Sequence, residues 1–125
     1  MLSKISRSFA YKGTLYTWGA NSSSLGYPAN KNAAKNLINP VETFTPGTIQ
    51  KVVMGNNHSA VVTGTLHTAS GKVYTFGRGE YGALGHDNED SQVVPKLIDS
   101  LDKLEIRVQD VALGSHHTVL LAGMF

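Results

Sequence analysis

The chain has 125 residues, of which 16% are charged, and its formal net charge is +2 at pH 7. This length corresponds to one domain that can bury a modest core, and the charge is too small to indicate a nucleic-acid or acidic-substrate binder. The lack of cysteine excludes disulfides and thiolate zinc sites, while 13 glycines favour short strands joined by turns.

The first twelve residues form a basic segment without an acidic residue. Leu2, Ile5 and Phe9 are spaced three and four residues apart, so on a helix they form an apolar stripe opposite a basic face. Short, basic, serine-containing amphipathic starts are typical of mitochondrial import segments. We therefore predict an import-like segment over residues 1–12 and a mitochondrial location. The alternative is an ordinary frayed terminus on a cytoplasmic or nuclear protein.

From Gly13 onward the chain uses one pattern twice. Residues 71–77 (GKVYTFG) repeat residues 13–19 (GTLYTWG) with conservative changes, 58 residues later. Residues 84–85 and 113–118 likewise repeat residues 25–26 and 54–59, both 59 residues later. A period of this size indicates a repeat architecture. We predict two repeats, over residues 13–70 and 71–125.

The repeats contain short runs of aromatic and β-branched residues, which pack well on a pleated sheet. Eight strands are predicted, over residues 15–18, 41–43, 49–54, 58–63, 73–76, 96–98, 106–113 and 117–121. Pro40 and Pro95 cannot donate to a central ladder, so their strands are predicted to be edge strands. The polar stretch from Gly19 to Pro40 is predicted to be a surface loop. The long connection from His58 to Gly71 predicts an extended or bulged hairpin, and no helix is predicted after residue 12.

This order of motifs resembles the repeat of the regulator of chromosome condensation family. The shared motifs are Gly-x-x-His-Ser/Thr, a hairpin, Gly-x-Val/Leu-Tyr-Thr-Trp/Phe-Gly, a Leu-Gly loop and a strand after proline, and they cover residues 13–121. The resemblance implies an all-β fold, a β-propeller whose four-stranded antiparallel blades combine the second half of one repeat with the first half of the next. Two repeats supply about two blades, so we expect a partial propeller and not the family's closed ring.

Several repeat positions are expected to be structural. Trp18 and Phe76 are predicted to lie buried between adjacent blades, and Gly55 and Gly114 where a side chain does not fit or φ is positive. The resemblance also implies that the ring nitrogens of the repeat histidine tie its turn to neighbouring backbone. The full set of predicted structural positions is Trp18, Gly19, Gly26, Gly55, His58, Tyr74, Phe76, Gly77, Gly85, Gly114 and His117.

No motif in the sequence predicts a reaction. Residues 77–82 spell the dinucleotide fingerprint Gly-x-Gly-x-x-Gly after a strand, but turn-like residues follow and cannot start the helix that a pyrophosphate requires. His116 and His117 are adjacent on a strand and point to opposite faces, so they cannot share an ion. There is no nucleophile elbow and no phosphate-binding loop. We predict no catalytic residue, no cofactor, no metal and no small-molecule substrate.

Two features are candidate interaction surfaces. Asp87, Glu89 and Asp90 form an acidic loop tip that can present charge to a partner or hold calcium weakly, although a calcium loop has a different spacing and a solvated loop is the simpler interpretation. The first and last strands are expected to expose unpaired backbone groups and an apolar face. Their candidate interaction residues are Leu15, Tyr16, Val119 and Leu121.

We therefore expect a non-catalytic structural or interaction subunit, a scaffold that docks onto a multi-subunit complex through open blade edges and loops. The chain is interpreted as a piece of a longer propeller or as a partial propeller that a partner covers. The import-like segment favours a mitochondrial respiratory complex or ribosome. The resemblance implies two alternatives, guanine-nucleotide exchange on a small GTPase and chromatin binding. The first usually uses a complete propeller face with an inserted wedge and the second a basic patch, and neither is visible in the sequence.

Overall fold

The computed structural model describes residues 13–19, 24–28, 38–45, 48–65 and 68–123. The predicted import-like segment over residues 1–12 lies outside the described residues, as do His67 and most of the polar stretch predicted to be a surface loop. Within the described ranges, no helix is both long and apolar enough to cross a membrane.

The described residues form eight strands in three antiparallel sheets. The strands are β1 (Tyr16–Thr17), β2 (Asn39–Pro40), β3 (Ile49–Met54), β4 (His58–Thr65), β5 (Thr68–Gly77), β6 (Gln92–Leu97), β7 (Arg107–Leu113) and β8 (Thr118–Gly123). Their order is β1-β2 in a first half-blade, β3-β4-β5-β6 in a complete blade, and β7-β8 in a second half-blade. The complete blade combines the second half of one repeat with the first half of the next. The partial propeller is confirmed, with its eight strands divided into one blade and two halves.

Two short helices at the second Leu-Gly loop and after β6 correct the prediction that no helix follows residue 12. A 3-10 turn occupies Glu80–Gly82, and helix α1 occupies Asp99–Lys103. Asp99 and Asp102 lie in the first turn of α1 and Lys103 in its last turn, which is the arrangement that the helix dipole favours. Five residues are too few to produce an apolar period that can be seen in a sequence.

The two prolines lie inside their strands and not before them. Pro40 is part of β2 and Pro95 of β6, and in the described residues these strands pair only with β1 and β5. An edge strand tolerates proline because one of its sides makes no ladder hydrogen bonds. The predicted edge positions are therefore confirmed, whereas the predicted bounds 41–43 and 96–98 are wrong.

The hairpin between β4 and β5 is long and irregular, as predicted. β4 extends to Thr65 and β5 begins at Thr68, so the extra residues lengthen both strands. The register shifts between Thr63 and Thr65, which marks a bulge near the tip.

Two apolar clusters hold the sheets together. The first cluster lies between the first half-blade and the complete blade and includes Leu15, Leu25, Val41, Ile49, Val52, Val61 and Phe76. The second lies between the complete blade and the second half-blade and consists of Ala60, Val62, Val73, Ile98, Val108 and Val111. Successive side chains of β4 alternate between the two clusters, because neighbours on a strand point to opposite faces. This double burial explains the uninterrupted apolar run of β4.

Equivalent hydrogen bonds occur in the two predicted repeats. In each repeat a strand threonine donates its hydroxyl to the leucine carbonyl of the Leu-Gly loop. In each repeat the N–H of the residue that follows the edge strand also donates to a backbone carbonyl in or next to the strand that pairs with it. The pairs are Thr17 Oγ1 to Leu25 O (2.6 Å) with Thr75 Oγ1 to Leu84 O (2.7 Å), and Val41 N to Leu15 O (2.8 Å) with Ile98 N to Val73 O (2.9 Å).

Candidate functional site

A buried histidine links the complete blade to the second half-blade. The side chain of His58 is fully buried, and its Nε2 lies 2.9 Å from the hydroxyl of Thr118. That hydroxyl donates its proton to the carbonyl of Ala83 at 2.8 Å, so His58 must be the donor to Thr118. The ring of His58 thus reaches a hydroxyl of the following repeat and, through it, the backbone carbonyl of Ala83.

The other ring nitrogen of His58 carries no partner. Nδ1 is buried and makes no hydrogen bond within the described part of the chain. Burial lowers the pKa of His58, and an interaction with the backbone of His117 acts in the opposite direction. The neutral ring is therefore favoured, with its proton on Nε2.

The Gly-x-x-His turn has the same closure in both repeats. The N–H of Gly55 donates to the carbonyl of His58 at 2.8 Å, and that of Gly114 to His117 at 2.9 Å. A Cβ at Gly55 would lie 3.1 Å from Cβ of Leu113, and one at Gly114 would overlap the His117 ring. A side chain does not fit without displacement at either glycine. The His117 ring itself is exposed, unlike its counterpart His58.

A second histidine outside the repeat alignment is also structural. His86 is half-buried, and its Nε2 lies 2.9 Å from Oγ1 of Thr75, which donates to the Leu84 carbonyl. Burial lowers the pKa of His86, as does the positive charge of Lys96. His86 therefore braces the Leu-Gly loop against β5.

Folding stability is expected to decrease below about pH 6.5 because of these two histidines. In the unfolded chain both have the ordinary pKa of 6.5, and in the folded chain both pKa values are lowered. As the pH falls through 6.5 the unfolded state binds protons that the folded state does not, so the free energy of unfolding drops; above pH 7 the effect vanishes. Urea unfolding at several pH values measures the slope. An unchanged slope in the His58→Gln/His86→Gln double variant would contradict this assignment.

Trp18 and Phe76 occupy equivalent positions but different environments. Phe76 is 1% exposed, and its ring covers Gly26, where a Cβ would lie 3.2 Å from Cε2 of the ring. Trp18 is 42% exposed, so its predicted burial is wrong. The reason is that the first half-blade covers Phe76, whereas no other sheet of the described residues covers Trp18.

The two candidate interaction residues at the first strand point to opposite faces of the sheet. Leu15 is 1% exposed and belongs to the first cluster, so the prediction that it faces a partner is wrong. Tyr16 is 41% exposed, because it points away from that cluster. Its repeat counterpart Tyr74 is half-buried and meets Phe44 edge to face at 5.1 Å.

The acidic loop is organised by its own hydrogen bonds. The carboxylate of Glu89 accepts from the Tyr81 N–H at 2.8 Å, and the Asp90 N–H donates to Asn88 Oδ1 at 3.0 Å. All three predicted acids, including Asp87, are exposed. Among the described residues, no three histidine or acidic side chains converge as a metal site requires.

The last strand presents an apolar surface on both of its faces. On one face Val119 and Leu121 are 59% and 60% exposed, whereas their counterparts in β4, Ala60 and Val62, are 0% and 2% exposed. On the other face Thr118 and Leu120 line an open groove of about 360 Å³. Its opposite wall includes Leu84, Gly85 and Ile98. We call this the β8 groove.

Sequence reasoning did not find the other wall of the β8 groove or its rim. Tyr81 and His116 form that rim, with ring centroids 4.9 Å apart. The repeat equivalence of Gly85 with Gly26 is the sequence signal that could have located this wall. Phe76 covers Gly26, and no aromatic side chain of the described residues covers Gly85.

Comparisons with known proteins agree with this geometry. The sequence model of the regulator of chromosome condensation (RCC1) repeat matches residues 70–121. Human E3 ubiquitin-protein ligase HERC2 is 35% identical over 111 residues, which are 88% of this chain and 2% of that protein. The Arabidopsis thaliana RCC1 domain-containing protein RUG3, mitochondrial, is 28% identical over 110 residues, which are 87% of this chain and 23% of that protein. The chain thus spans less than a quarter of either relative.

A solved structure shows the same fold. The crystal structure of human WBSCR16 superposes with a TM-score of 0.70 at 22% identity, over 91% of this chain and 28% of that one. The repeat spacing, the equivalent hydrogen bonds and the blade order all agree with the family match. Residues 70–121 carry the regulator of chromosome condensation (RCC1) repeat, and the described residues of the chain form a partial β-propeller.

Proposed function

We propose that this chain is a non-catalytic structural or interaction module that docks onto a larger assembly through β8 and its groove. The difference between equivalent strands carries the proposal. Val119 and Leu121 are more than half exposed on a strand edge that pairs with no other described strand, while the same positions in β4 are buried. An exposed apolar edge strand is a template for pairing with another chain, which isolated proteins avoid.

The proposed lack of catalysis rests on how the polar groups of the β8 groove are used. The hydroxyl of Thr118 bonds to both His58 and Ala83, and the His116 ring packs on Tyr81. No nucleophile is therefore paired with a general base among the described lining residues. The acidic loop, with Asp87 and Asp90 in solvent, adds a negatively charged surface for the same partner.

The proposed assembly is mitochondrial, with a respiratory complex or the ribosome as the class of partner. The support is the import-like pattern of residues 1–12 and the name of the relative RUG3, which is described as mitochondrial. A tagged full chain is expected to fractionate with mitochondria. Replacement of Lys4 and Arg7 by glutamate is expected to leave it outside them. Equal distribution of both proteins would contradict the location.

The size of the native species tests the docking proposal. In extracts of cells that express the full chain, we expect it in particles much larger than one chain on a native gradient. The variant Val119→Lys/Leu121→Lys is expected to lose this association, because lysine is costly to bury at an apolar contact. Leu104→Lys is the matched control, since Leu104 is 71% exposed and lies neither in β8 nor among the residues that line its groove. A wild-type chain that migrates as a monomer would overturn the proposal.

A further inference from the structure

We propose that the β8 edge and its groove bind strand β1 of a second copy of this chain, with Trp18 of that copy seated over Gly85. The inference rests on the proposed function, which gives β8 an interaction role, and it makes a second copy of this chain the molecule that contacts β8 within that assembly. Its basis is that the chain already contains this contact once, between β4 and β5. β8 is the repeat counterpart of β4, and β1 is the counterpart of β5.

The internal contact fixes the register of the proposed one. In the complete blade Ser59 pairs with Phe76, Ala60 with Thr75 and Val61 with Tyr74. Within the described ranges, β8 pairs only with β7 and β1 only with β2, so each has an open edge. The repeat alignment then predicts three pairs between copies: Thr118 with Trp18, Val119 with Thr17, and Leu120 with Tyr16.

The β8 groove contains an open space over Gly85. At the equivalent position, between the first half-blade and the complete blade, an aromatic ring fills that space. Above Gly26 a Cβ would meet the Phe76 ring at 3.2 Å and Val41 at 3.1 Å. Above Gly85 the three atoms nearest to it would all belong to Ile98, the counterpart of Val41, at 3.4 Å or more. Trp18 occupies the repeat position of Phe76 and is 42% exposed. Insertion of its ring would complete at Gly85 the packing that exists at Gly26.

Gly19 provides an independent observation. Its counterpart Gly77 has φ 112° and lies against β4, where a Cβ would be 2.6 Å from the Asn57 carbonyl oxygen and the His58 Cα. Gly19 has nearly the same geometry, φ 126°, yet nothing described lies within 4 Å of its Cβ position. In the proposed pairing the His116–His117 turn of the other copy takes this space, as the Asn57–His58 turn does at Gly77.

The pairing also accounts for the exposed face of β8. Ala60 and Val62 of β4 lie beside Val73 in the second cluster. Their counterparts Val119 and Leu121 would lie beside Leu15 of the second copy and extend its first cluster. The open apolar surface of β8 and the open edge of β1 are thereby buried by each other.

Such a contact is head-to-tail, because it joins two different surfaces of the same chain. The described strands of each copy make up two blades, one complete and one shared between copies. Propellers usually close with four to eight blades, so closure requires about two to four copies. A head-to-tail contact that does not close would instead form an open chain of copies.

The mass of the purified full chain in solution, measured by light scattering over a range of concentrations, tests this inference. The wild type is expected to have the mass of about two to four chains or more. Trp18→Ala is expected to weaken association about 30-fold or more, as loss of a central aromatic anchor does. Trp18→Phe is expected to retain it, because phenylalanine serves at position 76.

Complementation shows whether the variants still fold. Trp18→Ala has a defective β1 and an intact β8, whereas Val119→Lys/Leu121→Lys has an intact β1 and a defective β8. Each is expected to be monomeric alone, and an equimolar mixture is expected to form a pair of one copy of each. Full association of Trp18→Ala, or a mixture that stays monomeric, would overturn the inference.

The purified and cellular sizes together separate this inference from the proposed function. A purified wild type that is monomeric at every concentration overturns the second copy as partner. If the cellular particle still depends on Val119 and Leu121 in that case, the proposed function stands with a different partner. If the cellular chain is also monomeric, both proposals fail.

Discussion

Phe76→Ala is expected to lower the free energy of unfolding by about 3 to 5 kcal/mol, the range for truncation of a buried phenylalanine. Phe76 is 1% exposed and joins the complete blade to the first half-blade over Gly26. Truncation removes its apolar contacts and leaves a cavity at the junction of two sheets, where the backbone of each sheet limits collapse. Urea unfolding followed by tryptophan fluorescence measures the loss.

Glu80→Ala is the control for this measurement. Glu80 lies four residues after Phe76 and is exposed, so its substitution is expected to change the free energy of unfolding by less than about 0.5 kcal/mol. Trp18→Ala, measured by circular dichroism at a concentration where the chain is monomeric, is expected to cost less than Phe76→Ala because Trp18 is 42% exposed. Equal tolerance at Phe76 and Glu80 would contradict the blade arrangement.

The sequence predicted those parts of the fold that local pattern and repetition determine. The predicted bounds of Ile49–Met54 match β3, because a β-branched run between a turn and a glycine leaves little freedom. The long connection from His58 to Gly71 also predicted the bulged β4-β5 hairpin correctly. Helix α1 was missed, since it is held by its position after β6 and not by a period of its own.

Burial at the candidate site could be predicted only in part, because it depends on which sheet lies opposite. Val119 and Leu121 are exposed as expected, but Leu15 and Trp18 exchange the environments predicted for them. Both errors have one cause: the first half-blade packs against the complete blade through Leu15 and leaves the Trp18 side open. Equivalent positions in a repeat are equivalent in burial only where both neighbours are present.

Gly77→Ala is expected to destabilise the chain by about 4 kcal/mol, for two separable reasons. The φ angle of 112° is one that alanine adopts only at a cost of about 1 to 3 kcal/mol. In addition, the new Cβ would lie 2.6 Å from the Asn57 carbonyl oxygen and the His58 Cα. These are backbone atoms, so β4 and its turn must shift, and the buried hydrogen bond from His58 to Thr118 shifts with them.

Gly19→Ala separates the two reasons within the same molecule. Gly19 has φ 126° but open space at its Cβ position, so alanine there is expected to cost the conformational strain alone, about 1 to 3 kcal/mol. The comparison must be made at a concentration where the chain is monomeric, because the proposed pairing places Gly19 against the His116–His117 turn of a second copy. Equal losses for the two variants would mean that contact with β4 is not what excludes a side chain at Gly77. A Gly19 variant that is stable as a monomer but cannot associate would show that the same exclusion operates between copies.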